Sequence, residues 1–73
     1  MVKVYTTPTC PACVQAKQFL DRKGVRYDEI DVARDRGAAE EMVRRSGQMG
    51  VPVIEIGGRM IVGFDADAIE RAL

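Results

Sequence analysis

The spacing of apolar positions changes from two residues to three or four within the first third of the chain. The run from Val2 to Thr6 alternates along a β-favouring stretch, which predicts a first strand. From Pro11 to Lys23, apolar side chains recur every three or four residues, as on one face of a helix. Gly24 follows directly, and glycine is the usual residue where a helix ends in a left-handed conformation. The apolar positions of this predicted helix are Ala12, Cys13, Ala16, Phe19 and Leu20.

A second strand and a second helix are predicted next. The run from Tyr27 to Val32 favours a strand, and a whole helix separates it from the first one. A right-handed crossover should therefore place these two strands parallel in one sheet. Asp35 is a suitable cap for a helix from about Arg36 to Ser46, and Gly47 would end that helix.

The last third of the chain predicts a hairpin and a short helix. Residues Val53 to Ile56 and Arg59 to Val62 favour strands, and only Gly57-Gly58 separates them, which is typical of a tight turn. Asp65 can cap a final helix. The side chains expected to pack this helix are Ile69, Ala72 and Leu73. The predicted order is βαβαββα.

Composition limits the class of protein. The 73 residues predict one domain over residues 1–73, and 47% apolar content suffices for a small core. The 11 basic and 11 acidic side chains cancel, which argues against nucleic acid or an anionic membrane as the main partner. No apolar run approaches the roughly 18 residues of a membrane span, and the N-terminus shows no signal-peptide pattern. We therefore expect a monomer in the cytoplasm.

The chain has two cysteines, Cys10 and Cys13, at the start of the first predicted helix. Pro11 suits the first helical position, which places Cys10 at the cap. Free amide N–H groups and the helix dipole favour a negative charge there, and the pKa of a cysteine at such a site falls to roughly 3.5–7.5. Cys13, one turn further on, should be more enclosed. The pair thus predicts an attacking sulfur and a resolving sulfur.

Two other interpretations of the cysteine pair remain open. A structural disulfide would close so short a loop that it would stabilise the chain little. A zinc site normally needs four ligands, and the chain contains no histidine and no further cysteine. Redox chemistry agrees best with a lone pair of this spacing beside a βαβ pattern.

The chain resembles the glutaredoxins and glutaredoxin-like redoxins over essentially its whole length. The matching stretches run from Val4 to Cys13, from Gly50 to Ile54 and from Gly63 to Asp65. The resemblance implies the smallest form of the thioredoxin-like α/β fold, with a four-stranded mixed sheet flanked by three helices. It also implies a thiol–disulfide oxidoreductase with Cys10 and Cys13 as catalytic residues.

The resemblance further implies roles for residues around the cysteines. Thr9, Pro11 and Ala12 would support the active site. Pro52 would follow a cis peptide bond, leaving the Val51 backbone free to bind an extended substrate. The residues of the turn that meets glutathione in the family are Gly63, Phe64 and Asp65. From the residues alone, the alternative for Pro52 is an ordinary proline at the start of a strand. Gly63 and Asp65 are equally a turn residue and a helix cap.

Several positions depart from the family pattern. Thr7 stands where many glutaredoxins have a lysine, Ala12 where they have an aromatic residue, and Ala66 where they have a second acid. Phe64 resembles the phenylalanine of the NrdH-type redoxins, which feed electrons to ribonucleotide reductase, but the Arg-Pro that follows it there is missing. Fewer glutathione contacts are therefore expected.

The sequence predicts reduction of protein or small-molecule disulfides, with no tightly bound cofactor and no metal. Glutathione is a possible co-substrate, and either glutathione or a thioredoxin reductase would supply electrons. Two other functions remain: an iron–sulfur cluster or metal carrier using Cys10, and a binding module that uses only the edge formed by Val51 and Pro52. Pro11 argues against the carrier, because cluster-holding glutaredoxins tend to lack this proline.

Overall fold

A computed structural model describes all residues, 1–73, and contains four strands and three helices. The strands are β1 (Val2–Thr6), β2 (Asp28–Asp31), β3 (Val53–Ile56) and β4 (Arg59–Val62). The helices are α1 (Pro11–Arg22), α2 (Arg36–Ser46) and α3 (Ala66–Ala72). The predicted order βαβαββα is confirmed. None of the three helices has the length and apolar character that a membrane span requires.

The four strands form one mixed sheet in the order β2-β1-β3-β4. β1 pairs in parallel with β2, where Val4 lies opposite Glu29, as the predicted crossover requires. On its other side β1 pairs antiparallel with β3, where Val4 lies opposite Ile54. β3 and β4 form the predicted hairpin, with Ile56 opposite Arg59 beside the turn.

The sheet separates two layers of packed side chains. On one face, side chains from β1 and β3 pack with Leu20 of α1 and Ile69 of α3, both of which are fully buried. On the other face, Tyr5 and Val53 pack against Met42 of α2. Because β1 and β3 are covered on both sides, their neighbouring side chains enter opposite layers. Tyr5, which points to the opposite face from Val4, is therefore buried as well.

The end of α1 follows from local hydrogen bonding. The Gly24 N–H donates to the Asp21 carbonyl at 3.1 Å and the Val25 N–H donates to the Leu20 carbonyl at 3.0 Å. This pattern requires a left-handed residue between the helix and the exit chain, and Gly24 has a φ of +71°. Val25 then packs against the core beside α1. The helix ends at Arg22, one residue before the predicted Lys23.

Two expectations about element ends need correction. β2 covers only Asp28–Asp31, shorter than the predicted run from Tyr27 to Val32, although the Val32 N–H still donates to the Thr6 carbonyl of β1 at 3.0 Å. Leu73 lies beyond the end of α3 and is 48% exposed, so its predicted packing role is wrong. Ile69 is the buried anchor of that helix, and Ala72 packs against the same core at its edge.

An ion pair joins the last turn of α2 to β3. Both terminal nitrogens of Arg45 donate to the carboxylate of Glu55, at 2.8 and 3.1 Å. The hydrogen bonds from Arg45 hold the pKa of Glu55 below its usual value, and the charge of Lys3 acts in the same direction. The chain between the two partners contains the loop from Gly47 to Pro52, so this pair fixes both ends of that loop.

We predict that Leu20→Ala lowers the free energy of unfolding by about 2–5 kcal/mol, because it leaves a cavity in a fully buried position. Val14→Ala is the matched control: Val14 lies on the same helix but is 45% exposed. We expect the control to change stability by about 0.5 kcal/mol or less. Urea unfolding of the three proteins checks this, and equal midpoints for all of them would contradict the core assignment.

Candidate functional site

Cys10 caps α1 with its own sulfur. Its backbone is extended, with φ −110° and ψ 106°, and Pro11 occupies the first helical position as predicted. The Cys13 N–H points at Cys10 Sγ, 3.1 Å away, and the Val14 N–H donates to the Cys10 carbonyl at 3.2 Å. The sulfur therefore takes the place that a serine or aspartate oxygen occupies at other helix starts. A negative charge on this sulfur would be stabilised there by the amide and by the helix dipole.

The two cysteines form a disulfide and differ in exposure. Their Cα atoms are 5.2 Å apart, within the range that a disulfide requires. Cys13 is fully buried, whereas Cys10 is partly exposed at the start of the helix. An incoming sulfur can therefore approach Cys10 but not Cys13. This agrees with the expectation that Cys13 is the more enclosed residue.

The peptide bond between Val51 and Pro52 is cis and lies against the cysteines. The Val51 carbonyl oxygen is 3.8 Å from Cys10 Sγ, and Pro52 is buried. The geometry that the family resemblance implies for this bond is thus present. Because proline has no N–H, Pro52 adds no donor beside the sulfur.

Val51 has an unused backbone hydrogen-bonding capacity. It lies outside every helix and strand, and its N–H has no acceptor within the chain. Its carbonyl oxygen accepts no backbone hydrogen bond and has Cys10 Sγ as its one polar neighbour, 3.8 Å away. The Val51 backbone is therefore free to pair with an extended chain laid beside Cys10, as in the addition of a strand to a sheet edge.

The turn after β4 is tied to the cis-proline segment. The Gly63 N–H donates to the Pro52 carbonyl at 2.8 Å, and Gly63 has a φ of +78°, which favours glycine. One carboxylate oxygen of Asp65 accepts from the Ala68 N–H at 3.1 Å and so caps α3. Gly63 and Asp65 thus both have structural roles, and a role in binding remains a prediction for them.

Phe64 does not project freely from this turn. Its ring meets that of Phe19 edge to face, with centroids 5.8 Å apart and an interplanar angle of 65°. It packs on the edge of the α1 and α3 core. The sequence offered no signal for this contact, since the two phenylalanines are far apart along the chain.

The other residues near the sulfurs differ in their exposure and in their contacts. Thr9 is exposed just before Cys10, and Ala12 is partly buried within the first turn of α1. Lys17, one turn beyond Cys13, is engaged by Glu29 at 2.7 Å. No three histidine, cysteine, aspartate or glutamate side chains come together anywhere in the chain. A metal or cluster would therefore need ligands from outside it.

Two residues that the sequence pattern did not single out brace the loop before Pro52. Ser46 Oγ lies 2.6 Å from the Met42 carbonyl oxygen and accepts from the Gln48 N–H at 3.3 Å. The Gln48 side-chain amide donates to the Gly50 carbonyl at 3.2 Å. The one sequence feature that could have indicated this bracing is Ser46 at the predicted helix end, directly before Gly47. These bonds hold the segment that leads into Val51.

The chain is similar in sequence to known glutaredoxins. The sequence model of the glutaredoxin family matches residues 2–61. A glutaredoxin-like 8.6 kDa protein from the rubredoxin operon of Clostridium pasteurianum is 44% identical over 73 residues, which covers 100% of this chain and 97% of that protein.

Solved structures show the same architecture. A thioredoxin-like protein superposes with a TM-score of 0.94 at 33% identity, covering 100% of both chains. The NrdH-redoxin of Escherichia coli superposes with a TM-score of 0.88 at 30% identity, covering 99% of this chain and 93% of that one. These likenesses confirm the thioredoxin-like fold expected from the sequence.

Proposed function

Since the chain belongs to the glutaredoxin family and has a thiol redox role, we propose that it reduces protein or small-molecule disulfides by a dithiol mechanism. The observation that supports this most directly is the unequal cysteine pair. Cys10 is partly exposed at a helix start, and Cys13 is buried within disulfide reach of it. Attack and resolution are thereby divided between two sulfurs.

In the first step, the Cys10 thiolate attacks one sulfur of the substrate disulfide. A Cys10–substrate disulfide forms, the substrate S–S bond breaks, and the second substrate sulfur leaves as a thiolate that takes up a proton. The Cys13 N–H, 3.1 Å from Cys10 Sγ, supports the thiolate before attack. The free Val51 N–H and carbonyl hold the substrate backbone alongside.

In the second step, Cys13 loses its proton and attacks Cys10 Sγ. The mixed disulfide breaks, the product leaves as a thiol, and the Cys10–Cys13 disulfide remains after a two-electron transfer. Stabilising the Cys10 thiolate helps in both steps, because Cys10 is the nucleophile in the first and the leaving group in the second. We place this cycle in the cytoplasm, where thiols are kept reduced.

We propose a thioredoxin reductase as the better electron source for the oxidised pair. Glutathione is small, so its affinity depends on a few charge-assisted hydrogen bonds. Thr7, Ala12 and Ala66 replace a cation, an aromatic wall and an acid that the family uses for it. The solved NrdH-redoxin is described as having a thioredoxin-like activity profile, which supports the same direction.

The roles of the two cysteines are tested by single serine variants. Cys10→Ser should abolish disulfide reduction, because the accessible nucleophile is removed. In the Cys13→Ser variant, Cys10 should still attack the substrate. The mixed disulfide should then accumulate, because no resolving thiol remains, and mass spectrometry detects it. Alkylation of the reduced protein should label Cys10 first. Labelling of Cys13 first would reverse the assignment, and full function of Cys10→Ser would favour the binding-module alternative.

Pro52→Ala tests the substrate edge. The variant should remain folded but bind a disulfide-bearing partner more weakly, because Pro52 is buried next to Val51, whose carbonyl oxygen lies 3.8 Å from Cys10 Sγ. It also introduces an N–H and space near the sulfurs, so we expect greater metal uptake. Circular dichroism, partner titration and metal analysis measure these effects. Unchanged partner affinity in a folded variant would remove Val51 and Pro52 from the substrate site.

The electron source is tested by following NADPH oxidation with the same disulfide substrate in two separate systems. A charge-assisted hydrogen bond contributes about 1.5–3 kcal/mol. Losing even two of the three contacts therefore weakens recognition on the order of a hundredfold, since about 1.4 kcal/mol is a factor of ten. We therefore expect faster turnover with thioredoxin reductase than with glutathione and glutathione reductase. Efficient turnover with glutathione and glutathione reductase, and none with thioredoxin reductase, would show that the contacts missing at Thr7, Ala12 and Ala66 are not needed.

A further inference from the structure

The outer face of α2 and the loop after it form an exposed apolar surface beside the substrate edge. Its centre is a shallow groove of about 460 Å³ between the helix and Met49. Met49 is 81% exposed, the most exposed large apolar side chain apart from the terminal Met1. We call this the Met49 groove; its lining residues are Arg36, Ala39, Glu40, Val43, Arg44 and Met49.

The Met49 groove is held in place by its surroundings. The hydrogen bonds of Ser46 and Gln48 brace the loop on either side of Met49. Val43 packs against the same buried cluster of Tyr5, Met42 and Val53 that supports Val51. A rigid loop that exposes a methionine offers an apolar contact without a large ordering cost on binding.

The groove is continuous with the free backbone of Val51. Only Gly50 separates Met49 from Val51 along the chain, so their Cα atoms are at most about 7.6 Å apart. An extended chain that pairs with Val51 beside Cys10 and continues along the loop reaches Met49 within a few residues. The apolar contact and the reacting sulfur can therefore engage one segment of a partner.

The charges around the groove favour an acidic partner. Arg36 has no ion-pair partner in the chain, and the Arg44 side chain is 73% exposed although it lies 3.4 Å from Glu41. Glu40 is the one acid in the lining, so Arg36 and Arg44 give the lining an excess of one positive charge; Glu41, the partner of Arg44, lies outside the lining. Exposed arginines at the rim of an apolar contact steer and select carboxylates.

We propose that the Met49 groove selects protein disulfides whose reacting cysteine lies in an extended segment bearing an apolar side chain and acidic residues. This specificity rests on the proposed disulfide reduction and adds a substrate class to it. A small disulfide reaches Cys10 without touching the groove, whereas a segment of this kind gains both contacts. The groove thus separates protein substrates from small ones.

Two peptides, each with one cysteine linked to 2-nitro-5-thiobenzoate, test this proposal in single turnovers of the reduced protein. One peptide places a leucine and two glutamates next to the cysteine, and the other places a serine and two lysines there. The Cys10 thiolate attacks the peptide sulfur, forms a Cys10–peptide disulfide and expels the coloured nitrothiobenzoate thiolate. Cys13 then displaces the peptide thiolate. The second-order rate of colour release is measured for each peptide and for a small reference disulfide, 2-mercaptoethanol linked to the same nitrothiobenzoate group.

We expect the wild-type chain to react about tenfold faster with the acidic peptide than with the basic one, equivalent to about 1.4 kcal/mol. Met49→Ser should lower the ratio of the acidic-peptide rate to the small-disulfide rate several-fold. Arg44→Glu should reverse the preference between the peptides, and added salt should weaken it. A variant that is merely misfolded would lower all rates together and leave the ratio unchanged.

Matched controls are Leu73→Ser, an exposed apolar residue at the C-terminus, and Arg59→Glu, an exposed arginine beside the hairpin turn. Both should keep the wild-type preference. Equal rates for the two peptides, or equal reductions in the control variants, would overturn the proposal. A dimer in sedimentation that Met49→Ser dissociates would also overturn it, because the groove would then bind a second copy of the chain.

A binding measurement without chemistry distinguishes failure of the groove proposal from failure of the proposed disulfide reduction. Fluorescent versions of both peptides, with serine in place of cysteine, are titrated into the oxidised protein, so that no chemistry occurs. If the reduced chain released no colour from any disulfide, the proposed function would fail. Preferential binding of the acidic peptide would still support the groove, and equal binding of both peptides would refute it.

Discussion

The antiparallel pairing of β1 with β3 is the constraint on which the site depends. The last paired residues are Tyr5 of β1 and Val53 of β3, so the chain leaving β1 must pass the chain entering β3. Cys10 lies shortly after the first of these ends, and Pro52 directly precedes the second. Because both strands are buried on both faces, the register cannot slip without exposing each layer. The contact between Cys10 and Val51 follows from that register.

In the proposed dithiol mechanism the two sulfurs have opposite requirements, and one helix start meets both. Cys10 must be reachable and must tolerate a negative charge, which the free amide N–H groups of the first turn provide. Cys13 must be shielded from substrate yet close to Cys10, and its position one turn into α1 turns it towards the core. An increased exposure of Cys13 would remove the order of attack. The proposed mechanism therefore gives the burial of Cys13 a functional role in addition to its role in packing.

Local signals predicted most of the fold because the responsible contacts join neighbours in the chain. Gly24 and Asp35 act on residues a few positions away, and the predicted helix ends agree with the structure to within one residue. The end of β2 and the exposure of Leu73 depend on distant partners, and there the sequence was misleading. The contact of Phe19 with Phe64 and the pair of Arg45 with Glu55 are non-local in the same sense.

The loop from Gly47 to Pro52 is determined both by local sequence signals and by contacts between distant residues. Its glycines and its proline predicted a break between α2 and β3, but not that Arg45 and Glu55 would fix its ends or that Gln48 would brace its middle. A loop held at three points presents the Val51 backbone and the Met49 side chain in a constant relation to Cys10. The proposed backbone pairing at Val51 would accept any extended chain and so would provide affinity without selectivity. Selectivity must then come from side chains next to that backbone, and Met49 with its flanking arginines is the exposed set on that loop and helix.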